Sequence, residues 1–224
     1  MPPVPPVPPV PSVSPVSSPA PVVQARALRW APAGAPVLDL PALQIPPGVS
    51  WVGGGEGRGK SSLLRCLAGD LLLPGSHLQI GSTVLATAPA AYRAQLFWMD
   101  PRTSTHDQVR GVDFLASTAT RYPGWNAALL ADLTEALDLT PHLEKPLYML
   151  STGSKRKVWL AAAWASGATL TLLDEPFAAL DKTSIRCVLE LLRDAASHPQ
   201  RAWVVADYEA PAGVPLAQHI DLGY

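Results

Sequence analysis

Eight consecutive residues in this chain are spaced to grip phosphate. Gly54-Gly55-Glu56-Gly57-Arg58-Gly59-Lys60-Ser61 fits the pattern G-x-x-x-x-G-K-[ST]. Glycines let successive backbone amides curl around an anion, and the helix that follows adds the positive end of its dipole. Lys60 is expected to reach the β- and γ-phosphates, Ser61 to sit on Mg²⁺, and Ser62 to donate to the α-phosphate. A second set of chemical groups ends the apolar run Leu170-Thr171-Leu172-Leu173-Asp174-Glu175. Here Asp174 would hold Mg²⁺, directly or through water, and Glu175 would polarise an attacking water. Two acids at a strand end are common on their own, and a glycine loop can simply be flexible. Together they point to a nucleotide site.

The surrounding sequence has to deliver these groups to one place. Gly48-Val49-Ser50-Trp51-Val52 reads as an apolar strand running into the glycines, and Ser62–Ala68 as the helix behind them. Earlier, 27–30 and 37–40 look like short strands around a Pro/Gly turn, followed by a strand pair near 78–80 and 83–86. Residues 103–147 lean towards helix, with breaks at Pro123-Gly124 and Pro141. A strong helix is expected from Ser154 to about Ser166, stopped by Gly167, before a buried strand over 169–174. Asp181 caps a helix whose Ile185, Val188, Leu189 and Leu192 share one face, and 203–206 forms the next strand. Strands alternating with helices predict an α/β domain with a mainly parallel central sheet.

The segment Leu150-Ser151-Thr152-Gly153-Ser154-Lys155-Arg156-Lys157 narrows the choice among nucleotide-binding folds. With Asp174-Glu175-Pro176-Phe177-Ala178-Ala179-Leu180-Asp181 it resembles the ATP-binding cassette family, whose Leu-Ser-Gly-Gly-Gln signature precedes its acidic strand by about twenty residues; Ser151 stands 23 before Asp174. Leu63–Gly69 and Pro74-Gly75-Ser76 match as well, so the resemblance covers residues 27 to about 208. It implies a P-loop NTPase with a mainly parallel central sheet, a small antiparallel β region and a helical subdomain at about 103–150. It further implies ATP and Mg²⁺ as ligands, and a head-to-tail pair of cassettes with two ATP between them. In that pair Ser151 and Gly153 would cap the γ-phosphate held by a second cassette, and Asp181 would lie in the contact loop. Trp30, 30 residues before Lys60, falls where the family stacks an aromatic on adenine.

The departures from that pattern are specific. Where the family carries a glutamine after a strand, this chain reads Phe97-Trp98-Met99-Asp100, so Asp100 is the positional match and a further candidate for metal or water. Thr152 and Ser154 replace a glycine and the glutamine of the signature. After Val204-Val205 stands Ala206-Asp207-Tyr208 in place of the family's histidine. Binding is therefore expected to be more secure than turnover.

The 224 residues include 25 prolines, ten of them in the first 23 positions. That Pro/Val/Ser tract, 1–23, favours extended, unpacked chain, and no motif touches it; the body is 24–224. A formal charge of −1 argues against a broad nucleic-acid surface, and no basic start precedes an apolar run as in a secretory signal. No segment reaches the roughly 18 apolar residues of a membrane span. Cys66 and Cys187 read as buried thiols, Trp159, Trp164 and Trp203 as core, and Lys155-Arg156-Lys157 as a solvated helix face.

The expected protein is the ATPase subunit of an ABC-type membrane transporter. It is expected to be cytoplasmic and peripheral on the inner face of the membrane, held there by an integral membrane transporter subunit. The resemblance extends to single-cassette exporter subunits, including the haem exporter ATPase of cytochrome c maturation. The alternative is a regulatory or accessory cassette that binds ATP with little hydrolysis. A soluble cassette of translation or DNA repair would need two cassettes in one chain or a long coiled-coil insertion, and neither is present.

Overall fold

The computed structural model describes residues 20–32 and 38–223. Two sheets divide the work. The first is antiparallel, in the order β2-β1-β4-β5, built from β1 (Val23–Trp30), β2 (Leu38–Ile45), β4 (His77–Ile80) and β5 (Thr83–Val84). The second is wholly parallel, in the order β6-β7-β8-β3-β9, from β3 (Gly48–Gly53), β6 (Leu96–Trp98), β7 (Leu170–Asp174), β8 (Ala202–Ala206) and β9 (Gln218–Asp221). The α/β architecture expected from the sequence is the one observed.

Alternation explains why the parallel sheet is covered on both faces. On β8, Ala202, Val204 and Ala206 face a core shared with helix α1 (Lys60–Ala68) and the antiparallel sheet. Trp203 and Val205 face the opposite core, shared with helices α3 (Gly111–Ala119), α4 (Ala127–Ala136), α5 (Thr152–Ala165) and α6 (Lys182–Ala196). All five residues of β7 and of β8 are buried, as strands sandwiched between two helical layers must be. Trp159, Trp164 and Trp203 lie in the second core, as expected. On α6 Val188 and Leu192 are fully buried and Ile185 and Leu189 half-buried, the face that the spacing predicted. The remaining α-helix among the described residues, α2 (Pro89–Arg93), is a single short turn whose Tyr92 hydroxyl donates to the Leu67 carbonyl at 2.7 Å.

Several boundaries differ from the sequence reading. β2 runs on to Ile45 through Pro41, which an edge strand tolerates because its outer N–H groups need no partner. β9 was not anticipated: its Gln-His-Ile-Asp alternation buries one side chain, Ile220. Helix α5 starts at Thr152, two residues before the expected Ser154, because Ser151 caps it. Both cysteines are free thiols, but only Cys66 is fully buried, and burial pushes its thiol up to about 11. Cys187 is half-buried. Among the described residues, no helix is long and apolar enough to cross a membrane.

The expected unpacked tract 1–23 also needs correction at its end. Residues 1–19 lie outside the described residues, but Val22 and Val23 are buried in the first core and Val23 begins β1. The Val22 amide donates to Ile45 at 2.8 Å, and its carbonyl accepts from Gly81 at 3.0 Å. Deleting 1–19 should therefore leave the thermal midpoint within about 2 °C of the full chain. Extending the deletion through Val23 should cost about 3 kcal/mol or more, from two buried valines at roughly 1.5–3 kcal/mol each. Equal midpoints for the two truncations in a thermal melt would contradict this placement.

Candidate nucleotide site

The glycine-rich loop lies where β3 meets α1. Gly57 and Gly59 adopt φ of 71° and 90°, a backbone region that side chains disfavour, and this lets the loop coil back before α1 begins. Lys60, the first residue of α1, is buried, and its ammonium donates to the carbonyls of Gly54 (2.6 Å) and Gly55 (2.9 Å). Glu56, Gly57, Arg58, Gly59, Lys60, Ser61 and Ser62 line a cavity of about 380 Å³, joined by Glu175, Arg102 and Tyr208. The structure therefore brings the phosphate loop and Glu175 to one cavity.

Asp174 ends β7 beneath this cavity, almost wholly buried, and its Oδ1 has no hydrogen-bond partner. Burial pushes its carboxyl above the usual range. The Ser61 hydroxyl and the Arg102 charge pull it back, while Glu175 and Asp100 add to the rise. An orphaned carboxylate oxygen beside a serine hydroxyl and a phosphate cradle is a donor set that fits Mg²⁺. Glu175 takes φ 46°, a strained conformation for a side-chain-bearing residue. Three bonds hold it there: its N–H donates to Ala206 at 2.8 Å, and its carbonyl accepts from the Ala178 amide at 3.1 Å and from the Arg156 guanidinium.

Lys155-Arg156-Lys157 is not the solvated helix face expected from the sequence. Lys155 pairs with Asp107 and donates to the Thr103 carbonyl at 3.2 Å; Arg156 reaches Glu175; Lys157 pairs with Asp181 at 2.6 Å. The side chains of Lys155 and Lys157 are only 18% and 14% exposed, which excludes a free face. Successive helix residues point about 100° apart, so three neighbours can reach three different loops.

The signature residues sit apart from the cavity. Ser151 caps α5, accepting from the Ser154 amide and donating to the Ser154 hydroxyl, both at 3.0 Å. The amides of Thr152 and Gly153, first in the helix, have no intrahelical acceptor. Asp181 caps α6 through the Ser184 amide at 2.9 Å, and its hydrogen bonds with Lys157 and Ser184 hold its carboxyl well below the usual range. None of Ser151, Gly153 and Asp181 lines the phosphate cavity of its own chain.

Two further candidate residues lie outside the lining of the phosphate cavity. Trp30 ends β1, packed against the first core, and is not among the cavity-lining residues. Asp100 likewise stays outside the lining; its Oδ1 accepts from the Arg102 amide at 2.9 Å and so fixes its own loop. Arg102 and Tyr208 line the cavity without having been assigned a role. The Tyr208 ring centre lies 4.1 Å from the Lys60 ammonium, within cation–π range. The available signal was an aromatic just beyond β8, where the family pattern leaves a histidine missing. Asp207, at the histidine's place, is raised by burial and by Glu175, and lowered by the Tyr208 amide, Lys60 and Arg156.

Fold and site together define a P-loop nucleotide-binding protein with an added helical layer and a signature-bearing helix. Comparison with known proteins narrows the class. The pattern of the ABC transporter family matches residues 42–178. The cytochrome c biogenesis ATP-binding export protein CcmA of Xylella fastidiosa is 32% identical over 182 residues, 79% of each chain. The taurine import ATP-binding protein TauB of Pseudomonas putida is 29% identical over 191 residues, 85% of this chain and 72% of that one. A solved structure, of the ATP binding subunit of an ABC transporter, superposes with a TM-score of 0.72 at 21% identity, covering 83% of this chain and 79% of the other. The chain belongs to the ABC transporter family and is an ATP-binding, ATP-hydrolysing subunit. The reading as a non-hydrolysing accessory cassette is not favoured.

Gly153 shows why one signature position keeps its glycine. A Cβ there would lie 2.3 Å from the Ala179 carbonyl oxygen, itself on a residue at φ 61°. Gly153→Ala should cost about 1–3 kcal/mol of stability in chemical denaturation through this overpacking. A loss under about 0.5 kcal/mol would contradict the close contact.

Proposed function

We propose that this chain is the motor subunit of an ABC-type transporter, working as one half of a head-to-tail pair that closes on two Mg-ATP. The observation that carries the reading is the separation of the two half-sites. The phosphate loop and Glu175 share one cavity, with Asp174 hydrogen-bonded to Ser61 at its edge, whereas Ser151 and Gly153 lie outside it and need a second cassette to meet a phosphate. The amides of Thr152 and Gly153 supply donors for that phosphate at a helix N-terminus.

Each residue in the cavity has a task. Lys60 exchanges its contacts with Gly54 and Gly55 for the β- and γ-phosphates. The glycine-loop amides and Ser62 hold the remaining phosphate oxygens. Ser61 and Asp174 would hold Mg²⁺, which when bound would supply positive charge against that of the phosphates. Glu175, fixed by its backbone bonds, orients the water in line with the γ-phosphate and accepts its proton. With Asp207 where the family has histidine, the chain supplies no imidazole donor at that position, so turnover is slow. Asp181, anchored to Lys157, sits in the contact loop between cassettes.

The partner is an integral membrane subunit, and the chain is peripheral on the cytoplasmic face through it. The exposed Tyr148 and Met149, beside the start of α5, give the helical layer an apolar contact surface for that subunit. Similar proteins include both an export and an import subunit, and their cargo is a property of those proteins.

Phosphate release from Mg-ATP tests the reading. Glu175→Gln should lower it by roughly 100-fold or more, while ATP is still bound and an ATP-dependent dimer appears in size-exclusion light scattering. Equal rates for the parent and Glu175→Gln would contradict it.

A further inference from the structure

Arg102 brings a cation into the phosphate cavity from a loop that no phosphate motif includes. It stands in the loop after β6, and its guanidinium lies 3.4 Å from the Ser61 hydroxyl. It lines the same cavity as Lys60 and Glu175. Its charge already acts on the buried Asp174 carboxylate, countering the upward push of burial.

The loop that carries Arg102 is fixed at several points. The Arg102 amide donates to Asp100 Oδ1 at 2.9 Å, and the Thr103 amide to the Asp100 carbonyl at 3.0 Å. The Thr103 carbonyl accepts from Lys155, which also pairs with Asp107. Asp100 is thus spent on shaping the loop. What this loop delivers to the cavity is a positive charge, where the family pattern has a neutral glutamine.

We propose that Arg102 is a phosphate-binding residue acting within its own chain, taking the γ-phosphate of ATP beside the metal. This inference rests on reading the cavity as the ATP site. The γ-phosphate is the one engaged because Arg102 shares the cavity with Glu175, which would face the attacking water, and stands next to Ser61 at the metal position. A guanidinium presents paired N–H donors that match phosphate oxygens and stays charged at every working pH. While the cavity is empty, Arg102 offsets the Asp174 charge. With Asp174 engaged in holding the metal, the guanidinium would be left to pair with the phosphate. The two cations therefore share the neutralisation of the triphosphate, and ATP keeps measurable affinity without the metal.

Titration calorimetry of the full chain with ATP and with ADP, each in Mg²⁺ and in EDTA, tests this. Arg102 is exposed, so Arg102→Ala and Arg102→Lys should keep the parent's thermal midpoint. Arg102→Ala should weaken ATP binding in EDTA by about tenfold or more, the scale of a lost charge-assisted contact. The loss should be smaller in Mg²⁺ and less than about threefold for ADP, and Arg102→Lys should restore part of it. Equal losses for ATP and ADP, or a loss for ATP that is the same with and without metal, would overturn the proposal while leaving the ATP site intact. A parent chain that binds no ATP even in Mg²⁺ would overturn both.

Discussion

The buried guanidinium of Arg156 is the interaction on which the site depends. Three carboxylates, Asp174, Glu175 and Asp207, gather where β7 and β8 end, and burial raises both Asp174 and Asp207. Such a cluster repels itself and would repel a triphosphate as well. Arg156, almost wholly buried, is held below its ordinary range by that burial, while Glu175, Asp174 and Asp207 all pull it back towards charge. Its bond to the Glu175 carbonyl also holds a strained backbone in the one conformation that points the carboxylate at the cavity. Charge balance and backbone geometry are set by the same side chain. Removing one partner from a buried ionic group of this kind costs about 3–5 kcal/mol.

Helix α5 extends this constraint in two more directions. Lys155 holds the loop that carries Asp100 and Arg102, and Lys157 holds Asp181 at the start of α6. The same helix begins at Ser151 and Gly153, the groups expected to meet a nucleotide bound elsewhere. One rigid element thus joins the loop of Asp100 and Arg102, the acidic strand and the Asp181 loop to the helix start that we propose meets a second cassette. A change in phosphate occupancy at the acidic strand has a direct route to that surface. The exposed surface of α5 is correspondingly small, and that explains why so polar a helix start sits against so buried a body.

What the sequence made legible were short-range patterns with a local physical cause. The glycine loop, the apolar run into Asp174-Glu175, the Asp181 cap and the face of α6 each depend on neighbours within a few residues. The rest depended on distant packing. Lys155-Arg156-Lys157 reads as solvated because three charges in a row usually are; only the loops packed around α5 show otherwise. Asp100 matched the glutamine position by count, but its carboxylate turned to its own loop, and Arg102 two residues on entered the cavity instead. Tyr208 reaches Lys60 only because β8 and β3 lie side by side. β9 escaped notice since a strand with one buried side chain leaves almost no apolar pattern.

The pH dependence of stability in Arg156→Met tests the central role of this guanidinium most directly. Methionine keeps much of the volume and removes the charge. Asp174 and Asp207 have raised pKa values in the folded chain, so above those values they are ionised and need Arg156; as pH falls through them they take up protons and the need fades. The variant should lose about 3 kcal/mol relative to the parent at pH 8, and the gap should narrow by pH 4, as these raised carboxyls protonate. A loss of the same size at both pH values would contradict the account.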